Sequence, residues 1–296
     1  MSQKLVVTLF TFALLVLSAG AENAPVMAKL SAAEIVAKNM EARGGLQAWR
    51  QVQSLSMTGK LAAGGDQRGS HPIPLPDKRA GKLVASQRLA EEAQLPFVLK
   101  MERPRKVRLE LQFKGRTAVQ VYDGTNGWKV RPYLNRGAIE TFSPDELRAA
   151  SLQPDLDGPL VDYIVKGTQV ELVGMEKVEN HDTYNLKLTM KNGQTSHVWI
   201  DAETFLEAKI EGQPRRLDGM EHDVELYYRD FREVSGVRIP FVLETKVLPA
   251  TKKPPQVSES AIPVERIVIE RVVVNPKLDP YLFTKPAGET ALNLHE

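Results

Sequence analysis

With 296 residues the chain has room for one large β domain or two small ones, and no internal repeat divides it, so one domain is expected. The 39 Lys and Arg against 37 Asp and Glu leave a formal charge of +2 with the signs interspersed, which excludes the basic stripe that nucleic-acid binding needs. The absence of cysteine excludes disulfides, a lipid-modified N-terminal cysteine and thiol chemistry.

Lys4, the apolar run Leu5 to Leu17 and then Ala19-Gly20-Ala21 predict a signal peptide over residues 1–21, cleaved after Ala21. An uncleaved N-terminal anchor is the alternative. There is no second apolar stretch of membrane length, so the mature chain, 22–296, is expected without a transmembrane span. Its compartment is then a periplasm, with secretion as the alternative.

Ser31-Ala32-Ala33-Glu34 matches a capping box, and Ile35, Val36 and Met40 fall on one stripe of the helix that follows. Gly44-Gly45 ends that helix, because glycine accepts the left-handed geometry of a helix C-terminus. Leu46, Trp49 and Val52 predict a second short helix leading into a strand near Leu55 to Leu61, with Trp49 in the core. From about 62 to 94 the chain turns polar and carries Pro72, Pro74 and Pro76. This insertion reads equally as a long loop or as a flap at the mouth of a site.

Pro96 to Glu102 and Lys106 to Phe113 predict a strand pair, and Asp123-Gly124-Thr125-Asn126 turns between two further strands. The oxygen ligands that would make this turn a calcium loop are missing. Ser143-Pro144-Asp145-Glu146 starts another helix, and Leu160, Val161 and Ile164 predict one more, ended by Gly167. Between Asp182 and Val247 three hairpins follow one another. Tyr184, Leu186, Leu188 and Met190 alternate with polar residues before the Asn192-Gly193 turn. Leu206, Ala208 and Ile210 share one side of the next return strand. Val224, Leu226 and Tyr228 repeat the pattern, as do Ile239, Phe241 and Leu243 after Ser235-Gly236. The reading is an antiparallel meander with a wet face and a dry one. A loop at about 249–263, a final strand from Ile267 to Val274, and a tail packing through Tyr281, Leu282 and Phe283 complete the chain.

The segments HVWIDAETFLEAKIEG, DFREVSGVRIPFVLETKV and VYDGTNGWKV resemble the strand-turn-strand elements of the LolA-like family, periplasmic proteins similar to the outer-membrane lipoprotein carrier. The similarity runs from about Ala32 to Val274. The resemblance implies a mainly β fold with a few helices, in which one curved antiparallel sheet forms an unclosed barrel covered by short helices. It also implies an acyl chain of a lipid or lipoprotein as ligand, and an envelope protein as a partner for handover or signalling.

The residues themselves support a binder rather than an enzyme. None of the histidines (His71, His181, His197, His222, His295) sits in a metal or triad motif, and no phosphate or dinucleotide fingerprint occurs, so no cofactor and no metal are expected. About ten strands with one apolar face each, and few helices to cover them, leave an apolar hollow. The candidate lining residues are Leu109, Leu111, Phe113, Leu186, Leu188, Leu226, Phe241 and Leu243. A chain of roughly sixteen carbons there contributes on the order of 10 kcal/mol before association costs. Three alternatives stay open: a sheet that closes on itself or folds into a sandwich and fills its own interior, an envelope lipid sensor or protein-interaction module of the same fold without carrier activity, and a hydrolase.

Overall fold

The computed structural model describes residues 30–63, 93–132, 136–153, 155–217, 220–249 and 264–286. The expected signal peptide at 1–21, residues 64–92 of the expected insertion and residues 250–263 of the expected loop lie outside the described residues.

Two helices carry the capping boxes their sequences announce. In α1 (Ala32–Ala42) the Ser31 hydroxyl accepts from the Glu34 N–H, and the Glu34 carboxylate accepts from the Ser31 N–H in return. The same box, Ser143 with Glu146, starts α3 (Pro144–Leu152). Between α1 and α2 (Leu46–Gln51), Gly44 and Gly45 take φ of 103° and 95°. A side chain on Gly44 would stand 2.1 Å from the Gly236 carbonyl oxygen, so the helix corner lies against the sheet at a position only glycine fits.

The sheet is one antiparallel surface of thirteen strands among the described residues. A first meander contains β1 (Ser54–Ala63), β2 (Ala93–Glu102), β3 (Lys106–Phe113), β4 (Arg116–Tyr122), β5 (Gly127–Arg131) and β6 (Arg136–Thr141). A second contains β7 (Gln169–Val178), β8 (His181–Thr189), β9 (Thr195–Asp201), β10 (Glu207–Glu211), β13 (Val224–Val234) and β14 (Val237–Val247). The short ribbon of β11 (Arg215–Leu217) and β12 (Met220–His222) stands apart. The last strand, β15 (Glu265–Val274), pairs with β1 on one side and β14 on the other and joins the two meanders. β6 and β7 are the two outer strands and do not pair, so the sheet stays unclosed. Among the described residues this is the unclosed, mainly β arrangement with a few helices that the sequence resemblance implies, and the alternative of a sheet closed on itself falls away.

The expected bounds shift in three places. β1 and β2 remain paired out to Ala63 and Ala93, so positions 62, 63, 93 and 94 are strand rather than insertion. Pro96 is tolerated inside β2 because the β3 ladder begins only at Phe97, leaving its missing N–H on an unpaired flank. The helix expected around Leu160 is instead a series of turns. Asp162 sits at φ 50°, which interrupts a helix, and its carboxylate is drawn to Arg50.

Cross-strand partners share a face, and the register therefore traces the apolar side. Leu109 pairs with Leu99, and Leu99 with Met57. On the other flank Leu186 pairs with Val198, Val198 with Ile210, and Ile210 with Leu226. The opposite face is polar at its rim yet not uniformly wet. Trp199, Tyr227 and Val178 are buried there beneath Lys209, which lies 4.0 Å from the Trp199 ring, and Lys246, 3.9 Å from the Tyr227 ring. Of the three tail residues expected to pack, Phe283 is buried against β3 and Leu282 is half-buried with its carbonyl accepting from Arg108, while Tyr281 is 80% exposed.

Candidate functional site

The concave face keeps a hollow of about 280 Å³ beneath a partial roof. Its floor includes Leu55, Leu226, Leu243 and Ile269, and its roof includes Trp49, Leu156 and Leu160. A second hollow of about 330 Å³ lies under α3 against Val107, Leu109, Tyr122 and Phe142. The two share Leu99 and Gln153 in their walls. No residue of α3 is fully buried, so this helix covers the hollow without filling it. On the outer side of the roof, a groove of about 560 Å³ runs between α1, α2 and residues 160–165, and Leu160 stands in the walls of both groove and inner hollow.

Ion pairs hold the roof down. Arg103, in the turn after β2, donates to Asp155 at 3.0 Å and to Asp157 at 2.6 Å, and Lys166 donates to Asp157 at 2.7 Å. Arg50 grips Asp162 with contacts of 2.6 to 3.2 Å. The Arg50 guanidinium holds the Asp162 carboxyl below its usual range, as the Trp199 and Asn185 N–H groups do for Glu176 on the opposite face. A carboxyl depressed in the folded state contributes stability that is fully present above its unfolded value, near pH 4, and is lost as pH falls through the lower folded value. Melting temperature is therefore expected to be flat between pH 7 and about 5 and to fall below about pH 4. Asp162→Asn should flatten part of that acid limb in a series of thermal melts.

The candidate residues all lie on the concave side by register, but in different settings. Leu226 and Leu243 line the first hollow and Leu109 the second. Leu186, Leu188 and Phe241 are buried among the protein's own residues. Leu111, paired with Phe97, and Phe113 are half-buried on the same side, outside the walls of both hollows.

Arg43 and Glu207, in the wall of the first hollow, escaped the sequence reading. Arg43, the residue after α1, puts its Nη1 3.2 Å from Glu207 Oε1, donates to the Asp157 carbonyl at 3.0 Å and lies 4.3 Å above the Trp49 ring. Glu207 reaches the interior through a register shift between Glu207 and Lys209. The shift pairs Glu207 with Ile200 on the concave face and turns Ala208 to the other side, against the Trp199 cluster. The strict alternation expected of Leu206, Ala208 and Ile210 therefore fails. Arg43 Nε and Glu207 Oε2 are buried without a hydrogen-bond partner among the described residues, a cost of about 1–3 kcal/mol for each such group. Tyr228 stands in the same wall, and burial first, then the Glu207 charge, push its phenol above the usual tyrosine range.

The described histidines make local contacts. His197 Nδ1 meets Asn185 Oδ1 at 2.8 Å, His222 Nδ1 meets the Leu248 carbonyl at 2.9 Å, and His181 is exposed near Asp201. Among the described residues no helix is long and apolar enough to cross a membrane.

No protein-family model and no curated protein matches the sequence. Solved structures do resemble the chain. A DUF1329 family protein from Desulfovibrio piger is 11% identical, with 86% of this chain and 97% of that one covered at a TM-score of 0.50. A LolA superfamily protein from Nitrosomonas europaea is 14% identical, with 86% and 98% covered at 0.49. An outer membrane lipoprotein-sorting protein domain from Vibrio parahaemolyticus is 12% identical, with 85% and 95% covered at 0.49. At these identities the likeness is one of fold.

Proposed function

We propose that this chain is an exported, periplasmic binding protein that shelters an acyl chain of a lipid or lipoprotein on the concave face of its sheet, and so carries it between membranes. The observation that supports this reading most is the pair of adjoining apolar hollows, at 280 and 330 Å³ together about 610 Å³. Ligand sites span about 300–1,000 Å³, and at the ~30 Å³ share of a water-sized group the pair has room for on the order of twenty such groups. A chain of roughly sixteen carbons fits that space, at about 0.8 kcal/mol per buried methylene. The chemistry is burial without bond-making. The LolA-like resemblance of the sequence points the same way.

Native mass spectrometry of protein purified from a membrane-containing lysate is expected to show a bound lipid mass. An empty protein that also fails to take up a fluorescent fatty acid would overturn the proposal. A second reading, an envelope sensor or interaction module, is favoured by the outer groove, where Ile164 and Val165 are 73% and 81% exposed. Crosslinking in the envelope fraction separates the two, since a stable protein partner without lipid transfer to vesicles selects the sensor.

A further inference from the structure

The first hollow has a polar corner that an acyl chain does not use. Arg43 and Glu207 both line it and face each other at 3.2 Å. Arg43 is 6% exposed, and its Nη1 is committed to Glu207 and to the Asp157 carbonyl. Its Nε–H nevertheless has no partner among the described residues, and neither has Glu207 Oε2. The first can only donate a hydrogen bond, and the ionised carboxylate oxygen can only accept one. The hydroxyl of Tyr228, in the same wall, can do either. Buried polar atoms in folded proteins are nearly always satisfied. Here an unsatisfied donor and an unsatisfied acceptor belong to one ion pair among the residues that line a mainly apolar chamber. A ligand head group with one acceptor and one donor supplies what both lack.

Resting on the acyl-binding reading above, we infer that Arg43, Glu207 and Tyr228 form a head-group subsite that selects amphiphiles ending in a neutral amide or un-ionised carboxyl group. The carbonyl oxygen of such a group accepts from Arg43 Nε–H, and its N–H or O–H donates to Glu207 Oε2. The like charge of Glu207 keeps an ionised carboxylate out of this corner and an ester has no donor to offer it, so fatty-acid anions and esters bind through the chain alone.

The test is competition against a fluorescent alkyl probe by dodecanamide and by methyl dodecanoate, which share a chain and differ in the donor. The full-length protein is expected to bind the amide at least about tenfold more tightly, because a site built to hydrogen-bond a group rejects the analogue lacking it. The double variant Arg43→Met, Glu207→Leu replaces the ion pair with apolar side chains of similar size, an exchange buried pairs often tolerate. It should bring the amide-to-ester ratio to about one while ester binding persists. Glu207→Gln presents an N–H where the carboxylate presented an oxygen and should shift the preference toward the ester even if the double variant does not fold. Equal affinity for the two competitors in the unmodified protein, or a ratio unchanged by Glu207→Gln, overturns the subsite and leaves acyl binding standing. Failure of the protein to take up the probe at all overturns the acyl-binding reading itself.

Discussion

Leu226→Arg is expected to lower the affinity for a long-chain fatty acid at least about a hundredfold while leaving a cooperative thermal transition. Leu226 lies in the floor of the first hollow, with Ile210 and Thr245 as its cross-strand neighbours. An arginine there fills space that methylenes would occupy, and it places a charge where about 0.8 kcal/mol per methylene is gained by excluding water. Losing burial for only four or so methylenes exceeds the roughly 2.8 kcal/mol that a hundredfold represents. The fold should survive because Leu226 is half-buried and Glu207, in the same wall, holds a carboxylate oxygen without a partner. Fluorescent fatty-acid titration read beside thermal melting checks this. Unchanged affinity in a folded variant would show that the chain binds elsewhere.

Asp157→Ala should destabilise the protein by about 3–5 kcal/mol, the usual result of removing one partner of a buried ion pair. The Asp157 side chain is 2% exposed and takes both Arg103 and Lys166, so its loss leaves two cations facing a buried methyl group. For a domain of this size the change corresponds to a fall of roughly 10 °C in melting temperature. Because Asp157 ties the roof residues to the turn after β2, release of a bound fatty acid should also accelerate. Stopped-flow dissociation measured below the new melting temperature reads that effect. A stability loss with an unchanged off-rate would show that the roof does not limit exchange.

Local signals placed most of the elements. The Ser31–Glu34 and Ser143–Glu146 boxes start helices because a side chain within four residues satisfies each exposed N–H. Asp123 makes its turn by accepting from the Thr125 and Asn126 N–H groups at 2.8 and 2.6 Å, so the loop needs no partner beyond itself. Where a distant contact competes, the local reading fails. The pattern of Leu160, Val161 and Ile164 suits a helix, yet Asp162 is pulled into a left-handed conformation toward Arg50, 112 residues away in sequence.

Composition and period-two alternation alone determine that this is a mainly β chain with one apolar face, and they assign Leu109, Leu186, Leu226 and Leu243 to that face, because alternation is a property of each strand by itself. Which of these leucines meets open space is a tertiary matter. Leu186 and Leu226 stand in the same cross-strand row, yet the first is buried by its neighbours and the second lines the hollow, since sheet curvature and roof position set the gap between layers. The insertion of β15 between β1 and β14 is also beyond local reading, since it joins segments some two hundred residues apart. Arg43 and Glu207 meet only because a bulge in β10 reverses one side chain and a glycine corner brings α1 against the sheet. No periodicity encodes that meeting, because it depends on where two distant pieces of backbone come to rest.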